Sequence, residues 1–273
     1  MFEPGLMFWA ERDTLDMVRS LGVRYGQLAI PGGMDLNPVS AARWKADLAD
    51  AGVTLVTVFA TYEGEDYTDI PAVARSVGFI PPATRVARLA RTLAVSDFAA
   101  RLGVASIACH VGFVPEDPAH ADYVAVREMV RQVCDHAAAH GQTFALETGQ
   151  EPAGILLGFI RDVGRANLRI NFDPANLILY GTDEPIKALE VLAPLVISVH
   201  CKDGDWPPPG VAGALGKERA LGKGSVGIAR FVETLRKVGF PGPLNVERET
   251  EDQQERLRDL ADGVRLLREL TRS

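Results

Sequence analysis

The sequence contains few of the residues that build disulfide frameworks, and it has no long apolar run. Its three cysteines, Cys109, Cys134 and Cys201, are widely spaced and form no C-x-x-C pair. That pattern argues against a disulfide scaffold or a structural zinc site. No hydrophobic stretch approaches the roughly 18 residues that a membrane span needs. We therefore expect free thiols in a reducing compartment and a chain that does not enter a membrane.

The chain also lacks an excess of basic residues. It carries 29 Lys and Arg against 36 Asp and Glu, which gives a formal net charge of −7. Nucleic-acid binders usually need a basic face, because neutralisation of phosphates supplies most of their affinity. The N-terminal segment MFEPGLMFWAERD is acidic and has no basic leading region like that of a signal peptide. These features predict a cytoplasmic protein that does not bind nucleic acid.

What the sequence does contain is a regular alternation of short β-rich runs and longer helical patterns. With 273 residues and 47% hydrophobic composition, the chain has enough material for one large core. The predicted strands are 6–9, 25–30, 55–59, 106–110, 143–147, 169–173, 196–200 and 243–247. The predicted helices are 12–21, 40–51, 83–102, 119–140, 153–163, 184–193, 226–238 and 252–271. Eight strand–helix units without a linker predict a single (β/α)8 TIM barrel domain over residues 1–273.

The last strands also indicate which residues line the barrel. Alternate residues of a strand face opposite sides of the sheet. The fifth predicted strand places Ala145 and Glu147 on one face and Leu146 on the other, and the seventh places His200 opposite Ile197. The bulky apolar face suits packing against the outer helices, and the small or polar face suits the narrow interior. Each polar series ends in an ionisable residue at the C-terminal tip of its strand, where barrel enzymes build their active sites.

Four of these terminal residues predict a metal site. Glu147, Asp173, His200 and Glu247 end the fifth to eighth strands, which are consecutive around the barrel. Three carboxylates and an imidazole that converge without a cation would repel one another. Oxygen ligands with a single nitrogen suit Mn²⁺ best, with Mg²⁺ and Co²⁺ also compatible and Zn²⁺ less favoured. We therefore predict one bound divalent ion. Taken singly, each residue is equally compatible with a helix cap, an ion pair or a buried hydrogen bond.

The motifs around these residues resemble the xylose-isomerase-like superfamily of sugar and sugar-phosphate isomerases and epimerases. They are Leu146-Glu147-Thr148, Asn171-Phe172-Asp173-Pro174-Ala175-Asn176, Val199-His200-Cys201-Lys202-Asp203-Gly204, Leu221-Gly222-Lys223-Gly224 and Leu244-Asn245-Val246-Glu247-Arg248-Glu249. The resemblance implies that Glu147 and Glu247 bind the metal and act as an acid/base pair on the proton beside a carbonyl, with the metal stabilising the enediolate. Ketose epimerases commonly place a His three residues after the sixth-strand Asp. Here that position is Asn176, which can bind a sugar hydroxyl but cannot carry a proton.

Further residues are candidates for substrate binding. His110 ends the fourth strand and could bind a substrate hydroxyl, unless it is a buried structural histidine. Lys202 could hold a carboxylate or phosphate, and Trp9 could provide an apolar wall. Trp206 lies in the Pro/Gly-rich segment 205–224, which together with segment 61–82 is long enough to cover an active site. No role is assigned to the remaining histidines, which lie on or beside the fourth helix: His120, His136 and His140.

Three alternatives to the isomerase or epimerase remain open. A dehydratase acting on an inosose- or dehydroshikimate-like substrate would abstract the same α-proton and then expel a β-hydroxyl, and His110 could supply the acid. An endonuclease-IV-like DNA-repair enzyme would need several more His and Asp ligands than the chain offers. A non-catalytic sugar-binding protein would not need both flanking glutamates. The expected ligand is a small sugar-derived molecule, and the sequence is compatible with a homodimer or homotetramer.

Overall fold

In the computed structural model, which describes residues 2–11 and 14–272, the strands lie close to their predicted positions. They are β1 (Pro4–Trp9), β2 (Tyr25–Ile30), β3 (Thr54–Ala60), β4 (Ser106–Cys109), β5 (Thr143–Glu147), β6 (Leu168–Phe172), β7 (Val196–Cys201), β8 (Asp203–Asp205), β9 (Lys217–Arg219) and β10 (Leu244–Val246). In the described part of the chain, β1 to β7 and β10 pair in parallel and close into a barrel. The predicted (β/α)8 barrel is confirmed.

The helices surround this barrel. They are α1 (Thr14–Ser20), α2 (Pro38–Ala51), α3 (Ile70–Ser76), α4 (Arg85–Leu102), α5 (Ala121–Ala139), α6 (Ala153–Val163), α7 (Pro174–Tyr180), α8 (Pro185–Leu192), α9 (Ile228–Lys237) and α10 (Gln253–Arg272). Gly52 and Gly103 end α2 and α4 with φ of 67° and 82°, a left-handed conformation that favours glycine. The first and last residues of the predicted domain 1–273, and residues 12 and 13 of the first predicted helix, lie outside the described residues. None of the described helices is long and apolar enough to cross a membrane.

Alternation along the strands separates two apolar layers. Phe144 and Leu146 of β5 belong to the large cluster between strands and helices. A smaller cluster fills the barrel interior, and its buried members are Met7, Ala29, Phe59, Ala108 and Ala145. The predicted orientation of β5 is therefore confirmed, and it directs Glu147 towards the barrel interior.

The prediction for Ile197 is wrong. Ile170 of β6 pairs with Val196 of β7, but the next residue, Asn171, pairs with Ser198, so Ile197 is an extra residue in the ladder. Such a bulge bends the strand locally. Ile197 consequently packs against the interior cluster and not against the outer helices.

The two long predicted loops contain short elements of their own. Segment 61–82 includes α3, and segment 205–224 includes β9, which pairs with β8 as an antiparallel hairpin. The hairpin lies directly after β7, so its residues are at the same end of the barrel as His200. Both segments are thereby placed at the C-terminal ends of the strands.

Candidate metal centre and active site

The four predicted ligands come together at the C-terminal end of the barrel. Glu147 is the last residue of β5 and His200 lies in β7, while Asp173 and Glu247 directly follow β6 and β10. One ligand atom from each lies within 4.8 Å of the others, and all four residues are buried. Four strand ends therefore deliver three carboxylates and one imidazole to a single point.

His200 lies at the centre of this group. Its Nδ1 is 2.7 Å from Glu147 Oε1, 2.8 Å from Glu247 Oε2 and 3.6 Å from Asp173 Oδ2. The ring of Phe59 packs against the imidazole with a centroid distance of 5.1 Å. Burial by itself would lower the pKa of His200, but Glu247 and Glu147 raise it well above its ordinary value. The carboxylates therefore create a strong demand for positive charge at this point.

The donor atoms fit a divalent cation. His200 Nδ1, Asp173 Oδ2 and Glu247 Oε2 are buried and have no hydrogen-bond partner among the described residues. Buried polar atoms nearly always make hydrogen bonds, so three closely spaced atoms that make none are what a site for a ligand ion requires. Three carboxylate oxygens and one imidazole nitrogen form a predominantly hard set, as Mn²⁺ and Mg²⁺ prefer. The chemistry of this set fits the predicted ion.

The position of Asp173 is fixed by hydrogen bonds to the first turn of α7 and to Thr148. Asp173 Oδ1 accepts hydrogen bonds from the backbone N–H groups of Ala175 and Asn176 and so caps α7. The Asp173 N–H donates to Thr148 Oγ1 at 2.8 Å, and that hydroxyl donates to the Asp173 carbonyl at 3.0 Å. One carboxylate oxygen is thus used by the helix, and the other is left to face His200.

Two further cationic side chains flank the glutamates. His110 Nε2 lies 2.9 Å from Glu147 Oε2, and Lys202 Nζ lies 3.5 Å from Glu247 Oε1. Burial alone would lower the pKa of His110, but Glu147 outweighs it and raises the value to about 9. Burial likewise opposes a charged Lys202, yet Glu247 raises its pKa well above the ordinary value. Each glutamate therefore has one oxygen towards the metal position and the other beside a cation.

A cavity of about 260 Å³ opens above this group. The predicted substrate-binding residues Trp9, His110, Asn176 and Lys202 all line it, as do Glu147 and Glu247. Trp206 does not line the cavity, and its side chain lies on the outside of the hairpin segment, 45% exposed. Pro207, which follows Trp206, lies beside Gly181 at the C-terminal end of α7.

Comparison of the whole chain with known proteins decides its family. A family model described as a xylose isomerase-like TIM barrel matches residues 15–270. The chain belongs to this family. A xylose isomerase domain protein from Planctomyces limnophilus is 40% identical, with 99% of this chain and 98% of that chain covered and a TM-score of 0.95. The resemblance inferred from the motifs is therefore confirmed.

More distant solved structures share the fold of this xylose isomerase-like barrel. A D-tagatose 3-epimerase-like protein is 16% identical with a TM-score of 0.76, covering 99% of this chain and 97% of that one. A xylose isomerase-like TIM barrel protein from Mycobacterium smegmatis, solved in complex with magnesium, is 18% identical with a TM-score of 0.69, covering 94% of this chain and 86% of that one. Among curated proteins, none matches the chain.

Several cavity residues of this xylose isomerase-like barrel were missed by the sequence analysis. Glu65 and Tyr67 come from the segment after β3, and Glu218 comes from β9. None of them lies in one of the eight predicted strands, so strand alternation could not find them. The unusual length of both segments was the available signal. Glu249, the last residue of the motif that contains Glu247, also lines the cavity.

The motif Gly222-Lys223-Gly224 has a structural explanation. The buried carboxylate of Asp203 accepts hydrogen bonds from the backbone N–H groups of Gly204, Gly222, Gly224 and Val226. At Gly224 an added Cβ would lie 2.4 Å from Asp203 Oδ1, so only glycine allows this approach. Because these N–H groups already bind Asp203, the loop does not offer them to a substrate phosphate.

We predict a pH-dependent contribution to stability from Glu151, which lies in the loop after β5. Its buried carboxyl accepts a hydrogen bond from the Val114 N–H at 2.7 Å, and burial raises its pKa from 4.5 to about 7. As pH rises, the Glu151 carboxyl ionises at a lower pH in the unfolded chain than in the folded protein. Its contribution to the free energy of unfolding is therefore full below pH 4.5 and is lost as pH rises to about 7. A shift of this size corresponds to about 3 kcal/mol. Urea unfolding at pH 4.5 to 7.5 should therefore show the free energy of unfolding of Glu151→Gln rising by that amount relative to wild type. An unchanged difference across this range would contradict the assignment.

Proposed function

We propose that this protein is a divalent-metal-dependent isomerase or epimerase of a small sugar, with Glu147 and Glu247 as its acid/base pair. Membership of the xylose isomerase-like family and the carboxylate-rich centre support a sugar-modifying enzyme of this kind. The ion that the four ligands would hold is Mn²⁺ by preference, with Mg²⁺ or Co²⁺ also suited to the donor set.

The observation that carries the proposal is the two-sided arrangement of the glutamates. Glu147 Oε1 and Glu247 Oε2 both approach His200 Nδ1, while their second oxygens, Glu147 Oε2 and Glu247 Oε1, approach His110 and Lys202. Both residues line the cavity. A sugar carbon held at this centre would therefore lie within reach of two carboxylates, one to remove a proton and the other to return it.

In the proposed reaction, the two glutamates transfer the proton and the neighbouring side chains position them. One glutamate accepts the proton from the carbon beside the substrate carbonyl, and the other donates a proton to complete the turnover. When bound, the divalent ion supplies the positive charge that stabilises the enediolate. His110 and Lys202 keep the free oxygen of each glutamate oriented and lie within reach of substrate hydroxyls. Trp9, Phe59 and Tyr67 belong to the apolar part of the cavity wall.

The charge of the cavity favours an unphosphorylated substrate. Among the described lining residues, the basic side chains are Lys202 and His110. The acidic ones are five glutamates: Glu65, Glu147, Glu218, Glu247 and Glu249. Lys202 and His110 already face Glu247 and Glu147. A phosphate dianion would have to approach several carboxyl groups, and no basic side chain of the described lining is left unpaired to bind it. We expect kcat/KM for an unphosphorylated ketose to exceed that for its phosphate by at least about tenfold, roughly 1.4 kcal/mol. A preference for the phosphate in parallel steady-state assays would contradict this expectation.

A deuterium-incorporation experiment tests the proposed reaction. The Mn²⁺-loaded protein is incubated in D₂O with free ketoses, inososes, hydroxypyruvate and the corresponding ketose phosphates, and products are followed by NMR. Deuterium at one carbon of a new sugar isomer or epimer would support the proposal. Loss of a β-hydroxyl together with exchange would identify a dehydratase instead. No turnover with any substrate, in protein shown to contain metal, would overturn the proposal in favour of a sugar-binding protein.

A further inference from the structure

A second group of side chains that could hold a metal ion lies on the outer helices, away from the C-terminal ends of the strands. We propose that Asp97, His136 and His140 form a site for a borderline transition-metal ion of the Zn²⁺ class, which connects α4 to the C-terminal end of α5. One ligand atom from each of these residues lies within 4.8 Å of the others. The site is separate from the reaction proposed above and does not depend on it.

The geometry of the three ligand atoms supports this proposal. Asp97 Oδ1 lies 2.7 Å from His136 Nε2 and 2.9 Å from His140 Nε2. Ligand atoms that share one ion at about 2.1 Å are separated by about 3 Å, so a small movement would admit the ion. The two histidines are four residues apart at the end of α5, and this spacing places both imidazoles on one helix face.

The backbone around the site is fixed by buried hydrogen bonds. Ser96, next to Asp97, donates from its hydroxyl to Gln142 Oε1 at 2.6 Å. The Gln142 side-chain amide donates to the carbonyls of Ser96 and Val104 at 3.2 Å and 2.9 Å. Gln142 follows His140 by two residues. The two ligand-bearing segments are therefore held together before an ion binds, which reduces the ordering that binding requires.

The surroundings favour a cation that enters from solvent. The side chains of Asp97, His136 and His140 are 39%, 31% and 34% exposed. Both histidines lie at the C-terminal end of α5, where the helix dipole favours positive charge. The position is at the N-terminal end of the barrel, away from the cavity, since α4 and α5 lead directly into β4 and β5. An ion here would join two neighbouring outer helices.

The donor set distinguishes the ion at this site from the one at the barrel centre. Two imidazole nitrogens with a single carboxylate suit Zn²⁺, Ni²⁺ and Cu²⁺, whereas one imidazole with three carboxylates suits Mn²⁺ and Mg²⁺. Solvent would complete the coordination at the outer site. We therefore expect Zn²⁺ to bind this site in protein whose central site is kept occupied by excess Mn²⁺.

Zinc titration with matched variants tests the site. Zn²⁺ is titrated by calorimetry into protein whose central site is kept occupied by excess Mn²⁺, and Cu²⁺ is bound in parallel for electron paramagnetic resonance. Wild type should bind one Zn²⁺ ion at this site, and Asp173→Asn should keep that binding. The Zn²⁺ affinity should fall at least about tenfold in His136→Gln and in His140→Gln. It should be unchanged in the control His120→Gln, which alters another exposed histidine. Asp97→Asn, which keeps a hydrogen-bond partner for both imidazoles, should also weaken binding.

The spectroscopic signature separates this site from the central one. Cu²⁺ bound by two imidazoles should show coupling to two nitrogens, and His136→Gln should reduce it to one. Equal Zn²⁺ affinity in wild type and His136→Gln, with binding abolished by Asp173→Asn, would overturn the proposal. Circular dichroism and the melting temperature of each variant identify any loss of folding, and a folded variant with unchanged binding counts against the site.

Discussion

Replacing Glu247 with Gln should lower kcat by about 10²–10⁴-fold, and Glu147→Gln should have an effect of similar size. Glutamine keeps the shape of the side chain but cannot accept the substrate proton. Because each glutamate also faces His200 Nδ1, at 2.7 Å and 2.8 Å, the variants are compared at saturating Mn²⁺ with the metal content measured. The assay is turnover of the substrate found by deuterium incorporation. The control is Glu190→Gln, which alters an exposed glutamate paired with Lys237 on the outer surface.

The two variants should also differ from each other in a diagnostic way. If the glutamates act on opposite faces of one carbon, each variant loses interconversion but still exchanges deuterium into one of the two sugars. Glu147→Gln should exchange one sugar and Glu247→Gln the other. Full activity in either metal-loaded variant would remove that glutamate from the acid/base pair. Loss of exchange from both sugars in both variants would show that they act as metal ligands alone.

Mn²⁺ at about 100 times its dissociation constant should stabilise the wild-type protein by about 2.7 kcal/mol. For a chain of this size, that corresponds to a rise in Tm of about 5–10 °C. The physical reason is that the ligand set exists only in the folded barrel, where four strand ends bring the donor atoms within 4.8 Å of one another. Differential scanning calorimetry of metal-stripped and Mn²⁺-loaded protein measures the shift.

Asp173→Asn should abolish most of this rise in Tm. Asparagine is as good an N-cap as aspartate, so it can keep the hydrogen bonds to the Ala175 and Asn176 N–H groups while removing the ligand charge. The matched control is Asp69→Asn, which alters the N-cap of α3 outside the metal group. A Tm rise in Asp173→Asn equal to that of wild type would contradict the assigned ligand set. A loss in both variants would indicate a general effect of cap substitution.

The sequence predicted the barrel and its central ligands because both depend on short-range regularity. Eight alternating units indicate a parallel barrel, and residues such as Glu147 and His200 lie at strand ends, which a closed barrel collects at one rim. Two strand ends differ from the prediction: β4 stops at Cys109 and β6 at Phe172, so His110 and Asp173 lie one residue beyond their strands. This difference does not matter for the site, since the first residue after a strand still lies at the same rim.

Features that depend on packing between distant segments were not predictable in this way. The bulge at Ile197 arises from the register between β6 and β7, and nothing in the sequence of β7 alone indicates it. Trp206 was predicted to bind substrate from its residue type and its place in a long segment, but it does not line the cavity and is 45% exposed. Glu65 and Glu218 enter the cavity from folded loops whose course depends on what they pack against.

The amino-acid sequence by itself determined the fold class, the family resemblance and the four residues at the metal position, because strand periodicity and strand termini are local properties of the chain. The tertiary structure alone decided how those residues are used. It gave each glutamate one oxygen towards His200 and one towards a cation, surrounded the cavity with further glutamates, and joined Asp97 of one helix to two histidines of another. The reason is that distances between side chains from different elements are fixed by packing, which acts across long separations in sequence.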